Sequence, residues 1–102
     1  MVSLRYREKF RRALYYLAVK EGDVRARLRS AYEQLRVLRE DELPEEIRAE
    51  WKDILHQLTK RGAMIHESGY VINSSLDQTL ENMRNKTGRK IAERIYRIAI
   101  NM

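Results

Sequence analysis

The stretch that most constrains this chain lies between residues 43 and 62, and it holds both the only proline and the only tryptophan. Pro44 suits the first turn of a helix, where its missing N–H would have no intrahelical partner. Two glutamates follow it at the positive end of the helix dipole, and Lys60 and Arg61 occupy the negative end. Gly62 is suited to end the helix in the left-handed conformation. The stretch therefore predicts a helix with a defined start and a defined stop.

This central helix has one apolar face. Its apolar side chains recur every three or four residues and cover about one third of the helix circumference. They are Ile47, Trp51, Ile54, Leu55 and Leu58. Because the rest of the chain must cover that face, we expect Trp51 to be largely buried among residues of other helices. Those residues are Leu14, Leu28, Leu35 and Ile95.

Two helices are predicted before the central one. The first is expected to begin at a Ser3 cap, to run to about Glu21 and to stop at Gly22. Asp23 then caps the second helix, so a tight turn joins the two and they pack antiparallel. The second helix has an unbroken apolar seam of the kind found in helical bundles. The seam consists of Val24, Leu28, Ala31, Leu35 and Leu38.

The sequence of residues 63–73 is compatible with two different structures. Two short apolar runs flank Glu67-Ser68-Gly69, which is consistent with a small β-hairpin that has glycine at a left-handed position. The alternative is an irregular loop pinned by Ile65 and Val71, because short apolar runs do not distinguish strand from loop.

Two helical segments, or one helix with a break near residues 84–88, are predicted after the loop. Ser75 and Gln78 form a capping box, which opens a helix with Leu76, Leu80 and Met83 facing inward. Residues 82–88 are rich in poor helix formers. Asn85 or Thr87 is expected to cap the final segment, whose apolar face is Ile91, Ala92, Ile95, Ile98 and Met102. The predicted fold is all-α, a small antiparallel bundle of four to five helices forming one domain over residues 1–102.

Composition and motifs exclude several function classes. The chain has no cysteine, which excludes disulfides, thiolate metal sites and a cysteine nucleophile. No apolar run resembles a signal-peptide core or is long enough to span a bilayer, so we expect a cytoplasmic protein with no membrane partner.

Neither histidine belongs to a recognisable site. His56 follows Asp53 at a spacing that can hold a metal, but it lies opposite the apolar face of its helix. His66 lies in the loop near Ser68, without the glycines of a nucleophile elbow. There is also no glycine-rich phosphate loop. We therefore expect no catalytic residues, no metal ion and no cofactor.

The net charge of +6 is unevenly distributed. Residues 1–39 carry +7, residues 40–55 carry −5, residues 56–82 carry −1 and residues 83–102 carry +5. In an up-down bundle, the basic residues at both chain ends lie beside the acidic connection between the second and third helices. Much of the segregation is then intramolecular pairing, and the alternative is an anionic partner.

The most specific charged feature is an arginine flank on the second helix. It consists of Arg25, Arg29, Tyr32, Arg36 and Arg39. Guanidinium groups interleaved with a tyrosine are able to grip phosphates and to stack on a base. The alternative is that these arginines cover the apolar edge of the bundle with their stems and point their charges into solvent.

The first and last helices carry more apolar residues than one buried face requires. The additional residues are Tyr15, Ala18 and Val19 on the first helix and Tyr96 and Ile100 on the last. If the helices are neighbours, these residues merge into one exposed patch, which favours a symmetric homodimer. The alternative is that residues 63–73 fold over them within one chain.

The predicted function is therefore a non-enzymatic protein–protein interaction or self-association module. The competing prediction is a nucleic-acid-binding protein that uses the arginine flank.

Overall fold

The computed structural model describes residues 3–102, which form five α-helices, one 3-10 helix and a two-stranded sheet. The helices are α1 (Arg5–Val19), α2 (Val24–Leu35), a 3-10 helix (Glu40–Glu42), α3 (Glu45–Thr59), α4 (Ser75–Glu81) and α5 (Asn85–Ile100). Strands β1 (Met64–Ile65) and β2 (Val71–Asn73) lie between α3 and α4. The predicted small, mostly helical fold is confirmed.

Helix α1 differs from its prediction at both ends. It begins at Arg5 without a side-chain cap, because the Ser3 hydroxyl instead donates to the Glu42 carboxylate at 3.3 Å. It ends at Val19, before the predicted Glu21. The turn into α2 follows the prediction, since Gly22 has a φ of +100°.

Helix α2 begins as predicted. The Asp23 carboxylate accepts hydrogen bonds from the backbone N–H groups of Arg25 and Ala26, at 3.0 and 3.2 Å. These bonds satisfy two of the donors that a helix start leaves without partners. Four of the five predicted seam residues are buried and Val24 is partly buried. The buried four are Leu28, Ala31, Leu35 and Leu38.

Helix α3 carries the predicted apolar face, but both of its ends differ slightly from the prediction. Pro44 is the N-cap and precedes the first helical residue. Gly62 does not adopt a positive φ, because α3 ends at Thr59 and the chain leaves without a left-handed residue. Trp51 is 7% exposed, and its indole N–H donates to the Leu35 carbonyl at 3.2 Å.

One core holds the helices together. Leu28, Leu35 and Ile95 belong to it together with Trp51, as predicted. Leu14 was expected in the same group, but it is only half-buried and lies outside the core. In α1 the positions that point fully inward are Tyr6, Phe10 and Ala13.

Residues 63–73 contain a β-hairpin. Strands β1 and β2 pair antiparallel, with Met64 opposite Asn73 and Ile65 opposite Val71. Gly69 has a φ of +98° in the connecting turn. The alternative, a loop pinned by Ile65 and Val71, is wrong because both side chains are exposed. The strands contact each other and make few contacts with any helix.

The last two helices are separate, with the break at residues 82–84. The cap of α4 is Ser74 rather than Ser75, and its hydroxyl accepts from the Asp77 N–H at 3.1 Å. Neither predicted cap of α5 acts as one, because Asn85 is already the first helical residue and Arg84 is the N-cap. Among the positions predicted to face inward, Ala92 and Met102 are only partly buried. The others are buried: Leu76, Leu80, Met83, Ile91, Ile95 and Ile98.

Two cavities show how the helix ends are arranged. One of about 550 Å³ is lined by Tyr6 of α1 and by Ile98 and Met102 at the chain end. Another of about 490 Å³ is lined by Leu17 of α1 and by Asn85 at the start of α5. Helices α1 and α5 are therefore antiparallel. We call the end with the α2–α3 connection, residues 36–44, the paired end. The opposite end, formed by residues 20–27, 60–61 and 81–90, is the basic end.

Candidate interaction surfaces

The predicted arginine flank is largely neutralised within the protein, and α2 carries only part of it, because α2 ends at Leu35 and Arg36 and Arg39 lie beyond it. Arg25 pairs with Asp23 at 2.9 Å, Arg36 with Glu33 at 2.8 Å and Arg39 with Asp41 at 3.3 Å. Arg29 pairs with Asp77 of α4. Tyr32 is half-buried and packs against the core. Each arginine of the flank thus has an acidic neighbour, and the tyrosine ring is partly occupied by packing.

Two of these pairs shift pKa values in the expected direction. The hydrogen bond from the Arg25 side chain, together with the backbone N–H of Ala26, lowers the pKa of Asp23 below its usual value. The hydrogen bond to Glu33 raises the pKa of Arg36. Both shifts favour the charged forms, so the pairing persists over the whole neutral pH range.

The paired end shows intramolecular pairing, but the acids that pair with α5 lie within α3 and not, as was predicted, in the α2–α3 connection. Arg94 of α5 donates to Glu50 at 2.5 Å and to Asp53 at 2.7 Å, both on α3. Lys52 pairs with Glu40 at 2.7 Å. The hydrogen bond from Arg94 lowers the pKa of Asp53, and that to Glu50 raises the pKa of Arg94.

Glu42 links three elements at this end. It is buried, and its carboxylate accepts from the Arg39 backbone N–H at 2.7 Å and from Ser3 at 3.3 Å. Arg5 of α1 forms an ion pair with it at 3.1 Å. The Arg39 N–H is the main reason why the pKa of Glu42 is lowered. A buried carboxylate with this many partners is a structural group.

The basic end is different. Eight of its lysines and arginines form no ion pair with any acid in residues 3–102. They are Lys20, Arg27, Lys60, Arg61, Arg84, Lys86, Arg89 and Lys90. All but the half-buried Arg27 are exposed.

The excess charge of the chain is concentrated here. Residues 20–27, 60–61 and 81–90 hold nine cations against three acids, a net charge of +6 that equals that of the whole chain. The sequence-based interpretation missed this cluster, because its members come from three separate segments. The feature that these residues share in the sequence is their position at or beside predicted helix ends. An antiparallel bundle brings those helix ends together.

The hairpin is the most exposed apolar element. Five of its residues have between 47% and 60% of their surface exposed. They are Met64, Ile65, Tyr70, Val71 and Ile72. His66 stacks on Tyr70 with ring centroids 4.5 Å apart, so the turn is ordered by its own side chains. Residues 63–73 contain a single acid, Glu67, and no lysine or arginine.

The five residues predicted for self-association are all exposed: Tyr15, Ala18, Val19, Tyr96 and Ile100. Helices α1 and α5 are neighbours, as the prediction required. Because they run antiparallel, however, the group on α1 lies near the basic end and the group on α5 near the paired end. Residues 63–73 do not cover either group.

The two histidines lie in different parts of the fold, His56 on α3 and His66 between β1 and β2. His56 is exposed, as predicted. His66 contacts Ser68, with Nδ1 at 2.8 Å from the hydroxyl and at 3.1 Å from the backbone nitrogen. Within residues 3–102, no carboxylate hydrogen bonds to the His66 ring and no three His, Asp or Glu side chains converge as metal ligands.

A helix that crosses a bilayer must be long and predominantly apolar. Among residues 3–102, no helix combines the length and the apolar composition needed to cross a bilayer.

No protein-family model, curated protein or solved structure matches this chain. The surfaces described above are therefore the basis for proposing a function.

Proposed function

We propose that this protein is a non-enzymatic interaction module that self-associates through the β1–β2 hairpin. The observation that carries the proposal is the exposure of apolar side chains along both strands, including Ile65 and Val71. Contiguous exposed apolar surface on a folded protein is characteristic of contact sites.

The hairpin lacks the support that a two-stranded sheet normally needs. An isolated hairpin is marginally stable in water, and a third strand or a packed helix usually supplies the missing stability. Here the strands are two and three residues long, and no other strand in residues 3–102 pairs with their outer edges. An added strand from another chain would supply backbone hydrogen bonds and bury the apolar side chains.

Charge favours a second copy of this chain as the occupant. Two molecules that each carry +6 repel one another over most of their surface. The hairpin has no lysine or arginine, so two copies meet there without juxtaposing cations. A two-fold axis through this surface uses each residue twice, which is the commonest way for one patch to produce a dimer.

The helix residues fit this role less well. Tyr15 lines a surface depression together with Arg11 and Arg12, and Lys20 follows Val19 directly. Two copies that approached through this face would bring those cations together, which opposes association. We therefore place the contact on the hairpin and use the α1 group as the comparison.

Sedimentation equilibrium tests the proposal with a matched pair of variants. Val71 of the hairpin and Val19 of α1 are 58% and 55% exposed, so Val71→Glu and Val19→Glu make the same change at similar exposure. We expect the unmodified protein to show a monomer–dimer equilibrium at tens of micromolar. Val71→Glu should shift it to monomer, and Val19→Glu should leave it unchanged.

Two outcomes would overturn the hairpin assignment. One is an unmodified protein that remains monomeric at these concentrations. The other is a dimer that Val19→Glu disrupts and Val71→Glu does not. Far-UV circular dichroism and thermal melting of both variants confirm that the helical body is intact, since the hairpin makes few contacts with it.

A further inference from the structure

We propose that the basic end binds the phosphate backbone of nucleic acid, with Arg61 and Arg84 as central contacts. This binding site is separate from the hairpin surface, and the basic end shares only Arg25 with the arginine flank. It is an additional activity and does not depend on self-association.

The first observation is a cavity of about 230 Å³ between the end of α3 and the start of α5. Lys60, Arg61 and Arg84 line it, and no acid does. The other lining residues are Thr79, Asn82, Met83 and Thr87. Three cations with no acidic partner in residues 3–102 thus converge on one space. The exposed Thr87 hydroxyl beside them is an additional donor for phosphate oxygens, whereas the buried Thr79 hydroxyl already donates to the Ser75 carbonyl at 2.8 Å.

The second observation is that the cations continue on another side of α5. The cavity of about 490 Å³ near the α1–α2 turn is lined by Arg27 and Arg89. Its one acid, Asp23, already accepts from Arg25 and from two backbone N–H groups. An α-helix with its side chains is about 10–12 Å wide, so cations on different sides of α5 reach different phosphates. This extent favours a polymer of phosphates over a single phosphate group.

The third observation is energetic. At the basic end nine cations outnumber three acids, and like charges in such excess repel each other and oppose the compact state. A polyanion removes that repulsion, and its binding is driven by the counterions that the phosphates release. The α2 flank does not have this property, because each of its arginines already has an acidic partner. The site is therefore identified by cations that lack an acidic partner, and not by a high number of arginines.

Fluorescence anisotropy with a labelled oligonucleotide of mixed sequence tests the proposal. The association constant is measured from low to moderate salt for two variants that each replace two exposed arginines by glutamine. Arg61→Gln/Arg84→Gln removes unpaired cations, and Arg36→Gln/Arg39→Gln removes paired ones. Each double variant lowers the net charge by the same amount. A difference in affinity between them therefore cannot come from net charge alone.

We expect the unmodified protein to bind with an affinity that falls steeply as salt rises. For a single strand, the slope of log K against log salt becomes shallower by about 0.7 for each phosphate that the protein no longer neutralises. Arg61→Gln/Arg84→Gln should therefore make the slope shallower by about 1.4, and Arg36→Gln/Arg39→Gln should leave it nearly unchanged. The same titration with a duplex of the same sequence shows whether the protein prefers single-stranded or double-stranded nucleic acid. For the duplex, the slope changes by about 0.9 for each phosphate that the protein no longer neutralises.

Three results would overturn the proposal. They are no binding of either oligonucleotide at low salt, an equal reduction of affinity in the two double variants, and binding to anionic phospholipid vesicles without binding to nucleic acid. Thermal melting is recorded for each variant first. If Arg61→Gln/Arg84→Gln is poorly folded, Lys86→Gln/Lys90→Gln makes the same test with exposed residues on α5.

Discussion

The two ends of the bundle carry charge in different ways. At the paired end, acids of the α2–α3 connection and of α3 contact cations from α1, α3 and α5, as in Arg94 with Glu50 and Asp53. At the basic end, eight cations have no ion pair within residues 3–102. The first arrangement joins helices and contributes to the fold. In the second, only Arg27 bonds to another helix, through the Leu17 carbonyl at 3.4 Å. The other seven cations make no side-chain hydrogen bond or ion pair within residues 3–102, and so the basic end is the better candidate for binding.

The comparison also shows why an arginine count is a poor guide to function. The α2 flank holds four arginines and a tyrosine, yet the arginines are paired. The basic end has no comparable motif, but antiparallel packing collects its cations from three segments. Three predictions test how differently the two ends are built, in order of decreasing effect.

The largest effect is expected at Trp51, where α3 packs on the last residue of α2 near the paired end. Trp51→Ala removes a buried indole and the hydrogen bond to the Leu35 carbonyl. We expect a decrease of about 3–5 kcal/mol in the free energy of unfolding, measured by urea and far-UV circular dichroism. Trp51→Phe keeps most of the ring and should cost less. A decrease below about 1 kcal/mol for Trp51→Ala would contradict its place in the core.

The second prediction concerns packing beneath the basic end. A Cβ on Gly88 of α5 would lie 2.8 Å from Val24 Cγ1 and 3.4 Å from Leu28 Cδ1, so α5 packs closely against α2 there. We expect Gly88→Ala to cost about 1–2 kcal/mol, because overpacking exceeds the gain in helix propensity.

Gly62→Ala is the control for Gly88→Ala, since a Cβ there meets no atom within 4 Å and its φ is not positive. It should be neutral or slightly stabilising. Equal effects of the two substitutions on thermal melting would mean that the basic end is loosely packed.

The third prediction uses pH. The pKa values of Glu42 and Asp53 are lowered in the folded protein, so their ionised forms stabilise the fold above the usual carboxyl range. That stability is lost as pH falls through the lowered values, from about pH 5 downward. Asp53→Asn should make the decline in unfolding free energy with acid less steep. Glu45→Gln removes an exposed charge that has no ion pair in residues 3–102 and should leave the decline unchanged.

Local signals in the sequence predicted much of this fold. Asp23 caps α2 through its immediate neighbours, and the apolar spacing of α3 selects Trp51, Ile54 and Leu58. Such features depend on residues a few positions apart. One local signal was indecisive, because Ser74 and Ser75 are adjacent and either is able to cap α4.

The errors came from contacts between distant segments. Ser3 was expected to cap α1, but it bonds to Glu42, 39 residues away. The pair between Arg36 and Glu33 has ordinary helical spacing and was within reach of the sequence, whereas Arg29 with Asp77 was not. Of the four pairs that neutralise the flank, only Arg29 with Asp77 required the tertiary arrangement, because the other three join residues two or three positions apart. The cluster at the basic end also required it.

The hairpin shows a different limit of prediction from the sequence. Short apolar runs near a glycine were compatible with a hairpin, but burial is usually what identifies a strand. Here the residues of β1 and β2 are mostly exposed, so no core contact distinguished the two alternatives.

The most direct test of the difference between the two ends is a urea unfolding comparison of Arg94→Gln with Arg84→Gln at low and high salt. Arg94 donates to Glu50 and Asp53, and Arg84 has no ion pair in residues 3–102. We expect Arg94→Gln to reduce the unfolding free energy by about 0.5–1 kcal/mol at low salt, with a smaller reduction at high salt. Arg84→Gln should be unchanged or slightly more stable at low salt, because it relieves repulsion among the cations of the basic end. An equal decrease of stability in both variants would contradict the claim that the charge at the basic end is unpaired.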